Sequence, residues 1–178
     1  MALELSVAAR RELSVWRDSQ VSGREELRPV AVDSLHVTLA FLGYLPEREI
    51  ERIAEITLAS AAGRGAPTLV PLGAVGVPRS RPRLIALDLE DRDGEATALQ
   101  SALSDRLAEA RLYRPEKRLF WPHITLARVK RGARARPLEA SAPPIGELEA
   151  TRLTLYRSTL RPQGALYEPL AAAELGGG

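Results

Sequence analysis

The sequence predicts an α+β fold of two pseudo-symmetric lobes, each a helix with an antiparallel sheet, around a central groove. Three observations support this prediction. Helical and strand-like segments are interleaved, and the strands often follow one another, which favours an antiparallel sheet over a doubly wound parallel one. The 178 residues suit a single domain, 1–178. A short phrase that begins with histidine occurs once in each half of the chain.

The first half predicts two helices and three strands. Apolar residues at helical spacing indicate a helix near the start, and alternating residues indicate a strand that Gly43 ends. Pro46, followed by acidic residues, is typical of a helix start. In chain order we expect a strand at 2–5, a helix at 7–20, strands at 27–32 and 35–42, and a helix at 46–63.

The second half repeats the plan with more strands. One helix is indicated by a continuous apolar face, and an Arg/Pro/Ala-rich stretch is typical of a flexible loop. In chain order we expect strands at 68–77 and 83–89, a helix at 95–112, a strand at 120–129, a loop at 130–144, and strands at 147–160 and 165–170.

The composition excludes several classes of protein. Hydrophobic residues make up 45% and charged residues 27%, the balance of a soluble globular protein. Without cysteine there is no disulfide framework, thiolate metal site or catalytic thiol. No segment resembles a signal peptide or a membrane span. We therefore expect a cytoplasmic monomer that does not bind membranes.

His36 and His123 are the only histidines, and each begins a nearly identical phrase, His-Val-Thr-Leu-Ala at 36–40 and His-Ile-Thr-Leu-Ala at 123–127. Strand side chains alternate between faces. Histidine and threonine of each phrase therefore share one face, and the apolar residues between them face the core. The two polar faces are predicted to face each other across the groove, with one motif per lobe, at 36–39 and 123–126.

Two imidazoles and two hydroxyls suit phosphodiester chemistry. With ordinary pKa values of about 6.5, one imidazole can act as base while the other acts as acid. Threonine hydroxyls can donate hydrogen bonds to the nonbridging phosphate oxygens. The scheme needs no metal or cofactor, and two histidines without a carboxylate at ligand spacing make a poor metal site. One histidine alone is more often structural, but the repetition favours catalysis.

The residues beside the motifs are harder to place. Strict alternation puts Arg128 on the core side, so it reaches the groove only if the strand ends, twists or bulges there. The same alternation makes Phe41 a core residue, whereas Phe120 and Trp121 could stack on a nucleobase.

These phrases resemble the two-histidine (2H) phosphoesterases, and within them the RNA 2′,3′-cyclic phosphodiesterases, also named 2′-5′ RNA ligases. The paired His-x-Thr motifs are specific for the superfamily, and their flanking residues for this branch. The segments that carry the resemblance are 27–30, 34–43, 82–85, 120–128 and 155–158.

The resemblance implies a 2H phosphoesterase fold that hydrolyses RNA 2′,3′-cyclic phosphate ends to 2′-phosphates without a metal. It implies that His36 is the proton donor to the departing O3′ and that His123 is the proton acceptor from water. Thr38, Thr125 and Arg128 would bind the phosphate. Ligation of 2′-5′ junctions is the reverse use of the same site. The residues alone do not assign acid and base.

Two other interpretations fit the sequence. The chain could be a nucleotide- or RNA-binding module that keeps the groove without catalysis, or a 2H phosphoesterase acting on a small cyclic-phosphate metabolite. The basic loop at 130–136 either follows an RNA backbone or is simply solvated.

Overall fold

A computed structural model of the protein describes residues 1–161 and 164–176. Within these ranges the chain forms three α-helices and nine strands. In chain order they are β1 (Ala2–Leu5), α1 (Val7–Val21), β2 (Leu27–Pro29), β3 (His36–Thr38), α2 (Ile50–Ala61), β4 (Thr68–Val77), β5 (Leu84–Asp91), α3 (Glu95–Glu109), β6 (His123–Val129), β7 (Glu139–Ser141), β8 (Leu148–Arg161) and β9 (Gly164–Glu174). The α+β prediction is confirmed.

Local capping fixes where two of the helices start. The Ser6 hydroxyl accepts a hydrogen bond of 3.1 Å from the amide of Ala9 at the start of α1, which satisfies one of the free amides of the first turn. At the start of α3, the Asp91 carboxylate accepts from the amides of Ala96 and Thr97 at 3.2 and 2.7 Å. Both helices therefore begin directly after a strand.

The strands form one antiparallel sheet in the order β7-β4-β5-β6-β3-β1-β8-β9, with β2 paired to β6. The order divides into two halves that meet where β3 pairs with β6. Each half contains a strand, a helix and an antiparallel partner strand in chain order, as β1-α1-β3, with β2 between α1 and β3, and as β5-α3-β6. β4 also pairs with β8, so six strands close into a ring.

The core lies on the apolar face of the sheet and is made mainly of leucine, isoleucine, valine and alanine. A buried arginine next to the core, Arg17, holds the segment that follows β2 in place. The Arg17 side chain is only 6% exposed, and its guanidinium donates a hydrogen bond to the Val30 carbonyl and pairs with Asp18 at 2.7 Å. The segment after β2 is thereby held against α1.

Several predicted boundaries change: β2 ends at Pro29, α2 begins at Ile50, and β9 extends to Glu174. Three other changes lie in or after the motif strands. β3 ends at Thr38 because the amides of Leu39 and Ala40 donate to the Met1 carbonyl, at 3.1 and 3.4 Å, and not to a neighbouring strand. β6 begins at residue 123, not 120. The stretch 130–144 is not entirely a loop, since β7 pairs with β4 inside it. None of the helices in the described part of the chain is long and apolar enough to cross a membrane.

Candidate active site

The two motif strands are direct neighbours in the sheet. Val37 of β3 is paired with Ile124 of β6, and both side chains are fully buried at 0% exposure. Because strand side chains alternate, the residues on either side of this pair point to the opposite face. The predicted alternation is thus observed in both motifs, but they lie side by side on one surface and not on facing walls.

The register of that pair places the polar residues diagonally. His36 lies opposite Thr125, and Thr38 lies opposite His123. The two histidines are therefore diagonal neighbours, a relation that in antiparallel sheets separates α-carbons by roughly 7–8 Å. A phosphate between them would have one imidazole on each side.

A pocket of about 90 Å³ opens on this face, enough space for several water molecules and hence for a phosphate group. Its walls include His36, Thr38, Thr125 and Arg128, four of the five predicted site residues. His123 lies opposite Thr38 in the register and is not among the described lining residues. His123 is therefore next to a lining residue, Thr38, without lining the pocket itself.

Arg128 reaches the pocket through a β-bulge. Along the β5–β6 pairing, Ile85 lies opposite Ala127 and Ala86 opposite Thr125, so that Leu126 is an extra residue. An extra residue reverses the side-chain alternation beyond it. Arg128 consequently leaves the core side, is exposed and lines the pocket, one of the three routes predicted for it. Its role in binding substrate stays a prediction.

A second arginine lines the same pocket. Arg28 of β2 lies directly opposite Arg128 of β6, and both belong to the lining. Two guanidinium groups on neighbouring strands produce a positive potential that suits a phosphate anion. The strand that carries Arg28 leads into the segment that Arg17 holds at the Val30 carbonyl.

His36 lies between two tyrosines. Its ring is stacked on Tyr156 with centroids 5.9 Å apart, and Tyr167 contacts it edge-on at 4.9 Å. The pKa of His36 is lowered from 6.5 to about 4, chiefly because burial disfavours the charged form and also because of the N-terminal ammonium; Glu4 opposes the shift.

His123 is stacked on Trp121, with centroids 4.1 Å apart and rings 15° from parallel. Its Nδ1 lies 2.8 Å from the Trp121 carbonyl oxygen, which leaves Nε2 for a substrate when Nδ1 carries the proton. Burial lowers the pKa of His123, while the hydrogen bond to the Trp121 carbonyl raises it. The sequence made Trp121 a candidate for stacking on a nucleobase. In the structure Trp121 packs on His123 instead.

Three residues of this surface escaped the sequence interpretation. Arg28 could have been found, since a strand that buries Leu27 turns the next side chain to the other face. Glu4 lies opposite His36, and Asp88 lies opposite His123. Neither position follows from local sequence, because strand register is a tertiary property. Among the described residues, no group of three or more His, Cys, Asp or Glu side chains is placed to hold a metal ion.

Comparison with known proteins identifies the family. The sequence model of the 2′-5′ RNA ligase superfamily matches residues 5–161. The chain belongs to the 2′-5′ RNA ligase superfamily. This agrees with the resemblance that the paired His-x-Thr motifs indicate.

Several members of the 2′-5′ RNA ligase superfamily are similar over most of their length. The RNA 2′,3′-cyclic phosphodiesterase of Aeropyrum pernix is 31% identical over 89% of this chain and 92% of its own. The Escherichia coli protein of the same name is 30% identical over 95% of this chain and 91% of its own.

Two solved structures extend the likeness to the fold. TT0787 of Thermus thermophilus has a TM-score of 0.81 and 28% identity, covering 99% of this chain and 96% of that one. E. coli LigT complexed with 3′-AMP has a TM-score of 0.72 and 26% identity, covering 98% of this chain and 95% of that one.

Proposed function

We propose that this protein is an RNA 2′,3′-cyclic phosphodiesterase that hydrolyses cyclic phosphate ends to 2′-phosphomonoesters. The observation that carries the proposal is the diagonal placement of His36 and His123 on one surface beside a pocket that contains Arg128. Relatives of the same superfamily that match most of the chain are RNA 2′,3′-cyclic phosphodiesterases, which supports the same activity here.

In the proposed reaction a water molecule attacks phosphorus in line with the P–O3′ bond. His123 accepts a proton from the water as the new P–O bond forms, and His36 donates a proton to O3′ as the old bond breaks. Thr38 and Thr125 donate hydrogen bonds to the nonbridging oxygens, and Arg128 neutralises their charge. The product is a 2′-phosphate, and proton transfer requires no metal.

The protonation states depend on the substrate. In the free protein at pH 7 the His36 imidazole is neutral, because its pKa is lowered to about 4. A bound phosphate anion favours the protonated form of nearby imidazoles, so it raises the pKa of His36 toward the range in which it can act as an acid. Substrate binding and proton uptake are therefore coupled.

The ligand and the cellular setting follow from the same reaction. The physiological ligands are RNA ends or nucleotides with a cyclic phosphate. In 2′-5′ ligation a 5′-hydroxyl replaces water as the nucleophile while P–O3′ breaks, and in the reverse direction O3′ attacks phosphorus and the 5′-hydroxyl departs. The working form is a cytoplasmic monomer. It is one bilobal domain, which the single sheet that joins both halves supports.

The test is hydrolysis of a nucleotide 2′,3′-cyclic phosphate in EDTA, with the product identified by phosphorus NMR. We expect turnover to a 2′-phosphate. In His36→Ala and His123→Ala it should fall by about 10²–10⁴-fold, because each change removes one proton-transfer group. Unchanged turnover in both variants would refute the catalytic pair, and a 3′-phosphate product would refute the assignment of the leaving oxygen. Tight 2′-AMP binding without any turnover would instead support the binding module.

A further inference from the structure

Each motif histidine has a carboxylate directly across from it on the neighbouring strand. In the β1–β3 pairing Glu4 lies opposite His36, and in the β5–β6 pairing Asp88 lies opposite His123. The two pairs occupy equivalent places in the two strand-helix-strand halves. Two halves of different sequence therefore place an acid at the same position relative to the histidine.

An aromatic ring connects each carboxylate with its histidine. The indole N–H of Trp121 donates a 2.6 Å hydrogen bond to Asp88, and the same indole is stacked on His123. The hydroxyl of Tyr156 donates to Glu4, and the phenol ring is stacked on His36. Glu4 also accepts a 2.6 Å hydrogen bond from Thr154. In each pair the ring is thus the group in direct contact with the imidazole.

Such an arrangement affects both the orientation and the charge of an imidazole. A ring anchored at its polar end cannot slide, so the imidazole stacked on it is held in one plane. The face of an indole or phenol attracts a cation within about 6 Å of the ring centre, and donation of its N–H or O–H to a carboxylate adds electron density to that ring. The imidazolium formed during proton transfer is stabilised by the ring and by the carboxylate behind it.

We propose that Asp88–Trp121 and Glu4–Tyr156 are two equivalent carboxylate–aromatic units, each of which orients one catalytic histidine and stabilises its protonated form. The four residues are positioning residues that act through the histidines. The catalytic consequence rests on the proposed function, but the effect on the imidazoles does not.

The units act against positive charge from several elements. His123 faces Arg118 from the preceding loop and Arg128 from its own strand, and both lower its pKa, whereas Asp88 of β5 raises it. His36 faces Arg128 of β6 and the N-terminal amino group beside β1, whose own pKa is lowered to about 5 by burial. The charged forms of both lower the pKa of His36, whereas Glu4 raises it.

Tyr167 and the groups that bind Glu4 complete the surroundings of His36. Tyr167 of β9 contacts its ring edge-on. The pKa of Glu4 itself is lowered, because burial would raise it but hydrogen bonds from Thr154 and Tyr156 prevail, with help from Arg152 and Arg10. Glu4 is therefore ionised at neutral pH and supplies a negative charge behind the ring.

The first test is an NMR titration of the two histidines in the substrate-free protein, assigned with His36→Gln and His123→Gln. Asp88→Asn keeps the acceptor for the indole and removes the charge. We expect it to lower the pKa of His123 by about 1 and to leave that of His36 in place. Glu4→Gln should do the reverse. Equal shifts of both histidines in either variant, or no shift in either, would overturn the proposal.

Two variants of Trp121 separate the effect of its hydrogen bond to Asp88 from the effect of its stacked ring. Trp121→Phe keeps a stacking ring without the N–H, and Trp121→Leu removes the ring. We expect the pKa of His123 to fall in both, and further in Trp121→Leu. Tyr156→Phe should lower only the pKa of His36. Wild-type pKa values in Trp121→Leu and in Tyr156→Phe would show that the rings are structural only.

Matched controls are available elsewhere in the chain. Trp16→Leu changes the only other tryptophan of the sequence, which is half-buried on α1, and Asp105→Asn changes an exposed carboxylate on α3. Both should leave the two pKa values and the rate unchanged. If a control variant shifts them as far as Asp88→Asn does, the effect is general and the units are refuted.

The second test is the pH profile of kcat/KM on a cyclic mononucleotide. Since His36 has the lower pKa in the free protein, Glu4→Gln should move the acid limb to lower pH and Asp88→Asn the alkaline limb. Loss of rate with both limbs unmoved would overturn the proposal. A wild type without hydrolysis would refute the proposed function alone, because the NMR titration needs no turnover.

Discussion

The half that carries His36 and the half that carries His123 share one plan and differ in detail. Both present the histidine on a strand, opposite a carboxylate of the adjacent strand. His36, however, lies between two tyrosines, whereas His123 lies flat on one tryptophan. A symmetric frame thus places two imidazoles, and unequal surroundings give them different affinities for a proton.

The two motif strands differ as well. β3 is three residues long, whereas β6 is seven residues long and bulged. The bulge brings an arginine to the pocket from the second half only, and β3 ends before it could present an equivalent residue. The histidines proposed to transfer protons are therefore duplicated, whereas only the second motif is followed by an arginine that lines the pocket.

Among the features that distinguish the two halves, Arg128 should have the largest effect on activity. We expect Arg128→Leu to lower kcat/KM on a cyclic mononucleotide by about 10²–10³-fold, because the charge that develops on the nonbridging oxygens loses its partner. Steady-state kinetics measure the loss. Arg52→Leu, an exposed arginine on α2, is the matched control and should behave as wild type. A decrease of less than about threefold in Arg128→Leu would mean that the bulge has no catalytic purpose.

The next largest effect is the contribution of His36 to the pH dependence of the free energy of unfolding. Between pH 6.5 and about 4 the unfolded chain binds a proton at residue 36 and the folded protein does not, since the pKa of His36 is lowered to about 4 by burial. The free energy of unfolding therefore falls as the pH is lowered through this window. The contribution amounts to about 3 kcal/mol.

Denaturant unfolding of wild type and His36→Gln at pH 7.5 and 4 measures that contribution. We expect wild type to lose about 3 kcal/mol more than the variant. His123→Gln is the comparison from the other half and should change the pH dependence less. Identical pH dependence in wild type and His36→Gln would contradict the burial of a neutral imidazole.

The smallest effect should distinguish the two threonines. Thr125 lies opposite His36 and is half-buried, whereas Thr38 is exposed. Valine keeps the shape and removes the hydroxyl. We expect about a tenfold loss of kcat in Thr125→Val and a smaller one in Thr38→Val, because water can replace an exposed donor. Thr125→Ser, which retains the hydroxyl, should keep most of the activity; an equal or larger loss in Thr38→Val would reverse the ranking.

Local sequence predicted much of this molecule. The helices and the longer strands follow from apolar spacing. The hydrogen bonds of Ser6 and Asp91 at two helix starts are equally local, since each joins residues at most six positions apart. Alternation predicted the shared face of histidine and threonine in each motif. These features depend on neighbours in the chain, and so they can be inferred without a fold.

Features that depend on pairing between distant segments could not be inferred. Phe41 was assigned to the core by alternation, and this is wrong: it is 73% exposed, because β3 ends at Thr38 and the alternation stops there. The bulge at Leu126 depends on the register with β5. The positions of Glu4 and Asp88 depend likewise on registers that only the assembled sheet defines.

The position of β1 bears on how the protein acquires its site during synthesis. β1 lies between β3 and β8 in the sheet, so during synthesis it waits for a partner made some 140 residues later. Until then its free edge can pair with other chains. The two rings that contact His36 come from β8 and β9. A nascent chain therefore completes the surroundings of its first histidine only after translation has passed Tyr167, although that histidine itself is made early.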